Sequence, residues 1–246
     1  MTVSELAVHN KNYYDFLWQN SRLVGHDSWP VWAKLKTYVI NSQAVLEIGP
    51  GLRPRIPIRG SYFIEVSDPA IKVLRRHGGR VYTPGDGLLK KSNHFEIICA
   101  FEVLEHLDDD EQMLKSMHAS LKQNGKLIIS VPAYMRHWTE WDRIVGHQKR
   151  YEPSELQRML DVCGFRTIAY AEDRVCSGSY GSYFIQKIAM RLFLRYPKLS
   201  LKLEYYSLKL LCLFARHFRQ LEWKNGNLDG EKIKSRGIFL ICEKIS

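Results

Sequence analysis

Three clusters in this chain have the side chains and the spacing to do chemistry. In the first, Ala44-Val45-Leu46-Glu47-Ile48-Gly49-Pro50-Gly51, a short apolar run ends on a glycine pair beside an acid. Gly49 and Gly51 let the backbone turn sharply and come within contact distance of a ligand, which a Cβ at either position would obstruct. Glu47 next to that turn suits a cationic partner better than a pyrophosphate. Glu65 follows sixteen residues after Gly49, near the end of a second apolar run, Tyr62 to Val66. That is where nucleotide-binding sheets hold a ribose by its hydroxyls. The second cluster, Glu102-Val103-Leu104-Glu105-His106-Leu107, and the third, running from Asp142 through Gly146-His147 to Arg150-Tyr151, each set a histidine among charged residues after an apolar strand pattern.

These groups need a scaffold, and the hydrophobic pattern supplies one. Short apolar runs bounded by turn residues predict strands at Val45–Ile48, Tyr62–Val66, Arg80–Thr83, Phe95–Phe101, Lys126–Val131, Phe165–Glu172 and Gly237–Glu243. Helical periodicity predicts two N-terminal helices within Leu6–Ile40, then Asp68–His77, Glu111–Leu121 with a stop at Gln123-Asn124-Gly125, and Glu152–Cys163 stopped by Gly164. Pro54 and Pro57 make a regular helix improbable between the first two strands, so an irregular crossover is expected there. From Asp173 to Arg236 the composition is helical, and nine Lys and Arg between Tyr183 and Lys224 face only Glu204 and Glu222.

The run E-I-G-P-G at 47–51, followed by Y-F-I-E-V-S at 62–67, resembles the first two motifs of the Rossmann-like S-adenosylmethionine-dependent methyltransferases. The resemblance covers about Ala44 to Phe165 and the last strand. It implies an α/β fold, a doubly wound, mostly parallel, seven-stranded sheet with an antiparallel last strand, N-terminal helices and a helical insertion before that strand. It implies S-adenosylmethionine as cofactor, with Glu47 by the methionine amino end, Gly49 and Gly51 by the cofactor backbone and Glu65 by the ribose. Arg53 stands where a third glycine is common and offers a cation for the methionine carboxylate. Asp86 matches the position that reads the adenine amino group; a turn aspartate capping its own loop is the other reading. F-E-V-L-E-H-L resembles the post-strand motif of small-molecule methyltransferases, which lines the site near the transferred methyl and implies Glu102 and Glu105 as cofactor-binding residues with His106 beside them. D-x-x-x-G-H-x-x-R-Y at 142–151 resembles the substrate-facing segment after the fifth strand. It turns Asp142, His147, Arg150 and Tyr151 toward the acceptor, with Tyr134 and Trp138 nearby. An Asp142–Arg150 ion pair that merely fixes the loop stands against that role. For a hydroxyl acceptor, His106 or His147 is the candidate catalytic base.

The chain reads as one methyltransferase domain, 1–246, made of an N-terminal helical cap (1–41), a cofactor-binding core (42–172), a basic helical insertion (173–236) and the last strand (237–246). The N-terminal aromatics either close over the cofactor or pack on the sheet edge. A net charge of +10 and a pI near 9.3 point to an anionic acceptor or docking surface. In the insertion Arg191, Arg195, Lys198, Lys202, Lys209 and Arg216 recur at helical spacing opposite an apolar side. That suits either a lid over the acceptor or a peripheral contact with anionic lipid, and a sugar or lipid-linked hydroxyl is the acceptor class it favours. Hydrophobic content of 45% and charged content of 25% are ordinary for a soluble globular protein and suggest neither disorder nor a membrane-embedded chain. Five cysteines without C-x-x-C spacing and no leader-like N-terminus lead to an expected cytoplasmic location. No zinc-type spacing occurs, so metal chemistry is not expected. Pro54 interrupts the G-x-G-x-x-G fingerprint of dinucleotide oxidoreductases. Two other readings stay open: a non-catalytic cofactor-binding module that docks on a membrane or partner, and RNA methylation, which charge alone supports.

Overall fold

The structure, a computed structural model, describes residues 3–173 and 221–245, together with 195, 196, 198 and 199. Eight strands form one sheet: β1 (Val45–Ile48), β2 (Tyr62–Ile64), β3 (Arg80–Tyr82), β4 (Phe95–Phe101), β5 (Leu121–Pro132), β6 (Phe165–Glu172), β7 (Trp223–Asn225) and β8 (Gly237–Lys244), in the order β3-β2-β1-β4-β5-β8-β6-β7. β1 to β5 are mutually parallel, and β8 runs antiparallel between β5 and β6. The chain winds outward from β1 to β3 and then returns to place β4 on the other side of β1. A crevice opens at the carboxyl ends of the strands where the winding reverses, which is the ligand position of such sheets.

The core explains why the strand runs are continuous rather than alternating. Leu46 and Ile48 pack with Ile98, Leu127, Ile129 and Leu240 on one face of the sheet. Val45 packs with Ile97, Cys99, Ile128 and Ile241 on the other. Both faces are covered, so polar positions are scarce. On the second face lie Leu35 and Val39 of α2 (Trp32–Val39) and Ile71 and Leu74 of α3 (Asp68–Arg76). Each fully buried aliphatic side chain contributes on the order of 1.5–3 kcal/mol.

The expected irregular crossover is present: residues 49–61 contain no helix, and Leu52 and Ile56 anchor it in the interior. Three expectations are corrected. α4 (Asp110–Ser120) stops before Asn124-Gly125, because Leu121 is fully buried and already pairs with Phe95. Asn124, at φ 60°, belongs to an irregularity inside β5, so the Asn-Gly pair bends a strand instead of ending a helix. The 142–151 segment begins in a short helix, α5 (Glu140–Val145). The sheet has eight strands and not seven, since Trp223–Asn225, assigned to the helical insertion, pairs with Ala169–Ala171 as an antiparallel edge. Apart from Arg195 and Lys198, the basic face at 191–216 lies outside the described residues. Among the described residues no helix is long and apolar enough to cross a membrane.

Candidate active site

The glycine turn after β1 is built as its sequence requires. Gly49 and Gly51 have φ of 65° and 55°, a left-handed conformation that costs a side-chain-bearing residue roughly 1–2 kcal/mol. The flanking acids face inward. Glu65 accepts from the amides of Gly51 (2.8 Å), Val66 (2.9 Å) and Ser67 (2.8 Å), which ties the end of β2 to the turn. A carboxylate has about four acceptor positions, so Glu65 keeps capacity for a hydroxyl. Glu47 accepts from the amides of Arg55 and Ile56 and thereby pins the proline-stiffened crossover. Burial pushes the Glu47 carboxyl up to about 8, against the opposing effects of the Arg55 charge and those amides.

That shift has a measurable consequence. The folded chain keeps this proton up to about 8, whereas an unperturbed carboxyl loses it near 4.5. Between the two the folded state carries the extra proton, so stability falls as pH rises through that window. Glu47→Gln removes the titration and is expected to flatten the slope of melting temperature from about pH 5 to pH 8. An unchanged slope would mean that Glu47 is already ionised in the folded protein.

Helix α1 (Val3–Asn20) closes the crevice from above. Asp15 accepts the amide of Asp68 at 3.0 Å and pairs with Lys11, which also reaches Asp68, so α1 is clasped to the N-terminus of α3. From there Trp18 lies directly on Gly51, and Tyr14 stacks on Trp18 with ring centroids 6.3 Å apart. Tyr14 is enclosed, and burial first, then the charges of Glu105, Glu65 and Glu102 among others, raise its phenol. These two side chains therefore lie over the glycine turn and not on the sheet edge.

At the carboxyl end of β4 the chain makes a tight 3-10 turn, Leu104–His106. Glu102 enters it at φ 53°, a strained value for a residue with a side chain, and accepts from Ser130 Oγ at 2.7 Å. It is exposed to solvent yet surrounded by protein charges, which places it at the open mouth of the crevice. Glu105 is fully buried, and among the described residues neither carboxylate oxygen has a hydrogen-bond partner. Burial, with the Glu102 charge second, lifts its carboxyl well above the usual range.

The 142–151 segment completes the cluster. Gly146, at φ 82°, ends α5 and reverses the chain, so that His147 returns to Asp142. His147 Nδ1 lies 2.8 Å from Asp142 Oδ1, and Nε2 lies 3.7 Å from Glu105 Oε1. Arg150 holds Asp142 by two bonds, Nε to Oδ1 at 2.8 Å and a terminal guanidinium nitrogen to Oδ2 at 3.0 Å, while Thr139 donates its amide and hydroxyl to Oδ2. Burial alone would raise Asp142, but the His147 and Arg150 hydrogen bonds and the Arg150 charge outweigh it and hold the carboxyl well below its usual range. The ion pair and the site-facing histidine are parts of one construction. His106 sets Nδ1 3.1 Å from the Gly146 carbonyl and Nε2 3.2 Å from the Tyr14 hydroxyl, and its ring meets that of His147 edge-on at 4.7 Å. Burial, then the nearby His147, lowers His106 to about 3, so it stays neutral at ordinary pH.

The other named residues are placed differently. Asp86 is exposed and accepts from the Thr83 amide (2.6 Å) and hydroxyl (3.0 Å), the loop-capping alternative. The Arg53 guanidinium lies over the Trp18 ring at 5.3 Å. Tyr151 is turned to Asp110 (2.6 Å) and Tyr134 to the Ile233 carbonyl (2.8 Å), so both hydroxyls are engaged by protein. Trp138 is half-buried beside α5. Three residues of the site were missed. Tyr14 reads as one aromatic among several on its helix. Arg55, stacked over Trp29 at 3.4 Å, acts on Glu47 and Glu102 through its charge. Gln148 ties the two histidine segments together, with its amide on the Glu105 carbonyl and its side chain on the His106 carbonyl and Asp108. Its position inside the G-H-x-x-R-Y run was the one available signal. A separate hollow of about 280 Å³, at Tyr38, Glu96 and Lys122–Lys126, lies at the opposite end of β4 and β5 and carries none of this chemistry.

A left-handed glycine turn, an acid tied to it by amides, and a crevice ringed by Glu47, Glu65, Glu102 and Glu105 suit a ribose-bearing, positively charged donor. With the sheet order, they define an S-adenosylmethionine-dependent methyltransferase. The chain belongs to the methyltransferase-domain family, whose model it matches over residues 33–170, more than half its length. It is 26% identical over 154 residues to a ubiquinone biosynthesis O-methyltransferase from Idiomarina loihiensis, a match spanning 51% of this chain and 62% of that one. In fold it is similar to a SAM-dependent methyltransferase from Archaeoglobus fulgidus (TM-score 0.51, 15% identity, 87% of this chain and 93% of that one covered). It is similar also to the [4+2]-cyclase SpnF (TM-score 0.53, 15% identity, 87% and 80% covered).

Proposed function

We propose that this methyltransferase acts on a hydroxyl of a small-molecule acceptor, a sugar or lipid-linked alcohol being the class favoured by its basic composition. The carrying observation is the Asp142–His147 pair beside buried Glu105. Asp142 is ionised and accepts the Nδ1 proton, which leaves the lone pair of Nε2 facing the crevice. A hydroxyl needs such a group, since it must lose its proton at or near the transfer step. His106, lowered to about 3, is a poor base and a better acceptor of a neutral hydrogen bond. Bound S-adenosylmethionine supplies an electrophilic methyl on a sulfonium. Around it this chain's residues orient and exclude water: Glu65 toward the ribose, Tyr14 and Trp18 as the cover, and Glu102 and Glu105 as acceptors lining the donor side of the crevice. Orientation of this kind supplies most of the acceleration in such transfers. The Idiomarina relative, an O-methyltransferase by name, supports oxygen as the acceptor atom.

The test is incubation of the purified chain with methyl-labelled S-adenosylmethionine and panels of sugars, phenols and lipid-linked alcohols. An alkali-stable labelled ether, formed with an equal amount of S-adenosylhomocysteine, is the expected product. Label recovered on nitrogen, on carbon or in RNA would overturn the hydroxyl reading.

A further inference from the structure

We infer that Glu105, His106 and His147 form a binding site for a divalent first-row transition-metal ion. One ligand atom from each of the three lies within 4.8 Å of the others. Metal bonds of about 2.0–2.2 Å to nitrogen and oxygen set tetrahedral ligands roughly 3.3–3.6 Å apart, so side-chain adjustments of about 1 Å bring the three onto one ion. Both rings are already oriented. His147 Nδ1 is fixed by Asp142 at 2.8 Å and His106 Nδ1 by the Gly146 carbonyl at 3.1 Å, which leaves both Nε2 lone pairs directed inward. Fixing the outer ring nitrogen by a carboxylate or carbonyl is how metal-binding histidines are set in position.

Glu105 is the independent observation. It is fully buried, both oxygens lack a hydrogen-bond partner among the described residues, and one lies 3.7 Å from His147 Nε2. A buried carboxyl without partners is unfavourable in either protonation state, and a cation between it and the two imidazoles relieves this. Two neighbours bear on the balance of charge. Glu102 adds negative charge, while Arg150, the nearby cation, is already neutralised by its two bonds to Asp142. The Tyr14 hydroxyl, 3.2 Å from His106 Nε2, would give way to the ion or join it. Two imidazoles and one carboxylate favour ions of the manganese-to-zinc series over magnesium or calcium.

The role of the ion rests on the hydroxyl reading above; its binding does not. A hydroxyl bound to the cation would become more acidic; with the ion in place His147 Nε2 would be a ligand and would no longer be free to take the proton, so the base role of His147 would belong to the metal-free chain only. The O–H proton passes to solvent water, the oxygen forms a bond to the methyl carbon, and the S–CH3 bond breaks with its electron pair left on sulfur.

The experiment titrates Co2+ into the EDTA-treated full chain, followed by visible d–d absorption and calorimetry. Saturable binding of one ion per chain is expected. Glu105→Gln and His147→Asn should each weaken it on the order of 100-fold or more, and Asp142→Asn, which keeps all three ligands, by roughly 10–100-fold. Glu140→Gln, an exposed acid on α5, should bind as wild type does. Circular dichroism and melting curves show whether each variant is folded. No saturable binding, or folded Glu105→Gln binding as tightly as wild type, overturns the site. Stoichiometric Co2+ binding without transfer to any hydroxyl leaves the site standing and overturns the function. Full O-methyl transfer by EDTA-treated chain that binds no Co2+ does the reverse.

Discussion

Gly51→Ala is expected to weaken binding of S-adenosylhomocysteine by about 100-fold or more while leaving the chain folded. Two effects combine. The residue has a φ of 55°, which costs alanine about 1–2 kcal/mol. Its Cβ would also land inside the Trp18 indole, so the turn or the α1 cover must shift. Either movement disturbs the Gly51 amide that holds Glu65 in position. Gly60→Ala is the control, because φ there is 84° but a Cβ meets nothing within 4 Å. It should carry similar strain, appear only as a lower melting temperature, and bind the product normally. Calorimetry on both variants decides the matter. Equal affinity in Gly51→Ala and wild type would show that the donor does not rest on this turn.

Asp142→Asn should lower kcat by roughly 10²–10³-fold, the scale attached to a positioned acid–base group, with a much smaller change in KM for the acceptor. Asp142 acts through His147, so it is a positioning residue. Its charge fixes which ring nitrogen carries the proton, and an amide can present its NH2 there and reverse the tautomer, the loss known for a triad aspartate. The same change leaves Arg150 buried without its countercharge. Breaking a buried pair on one side costs about 3–5 kcal/mol, so a lower melting temperature is expected too. The kcat-against-KM split separates the roles. Equal proportional losses in binding and turnover, tracking the unfolded fraction, would indicate a purely structural aspartate. Stability should also decline in acid, since a carboxyl lowered in the folded state loses its contribution as pH falls through the folded value.

Much of the fold was legible because strand burial depends on local composition. Phe95–Phe101 and Phe165–Glu172 match their apolar runs to the residue; the first lies in the parallel part of the sheet, where both faces are covered and polar residues mark the ends. Elements decided by pairing were less legible. Leu121 joins the sheet and not the helix because Phe95 is its neighbour, and Trp223–Asn225 is a strand only because β6 offers an edge. Neither partner is near in sequence.

The sequence by itself determined the glycine-turn end of the site. Gly49, Gly51, Glu47 and Glu65 are specified by backbone geometry and by one short strand-turn unit, whose conformation is a local property. Only the tertiary structure decided the histidine end. Residues 105, 106 and 147 show no metal-type spacing along the chain, and Tyr14 is one aromatic among several on its helix. They meet because the reversal of winding at β1 and β4, the clasp of α1 on α3 and the left-handed turn at Gly146 carry distant segments into one crevice. Long-range contacts of this kind depend on where the sheet places its loops, and no window of neighbouring residues contains that information.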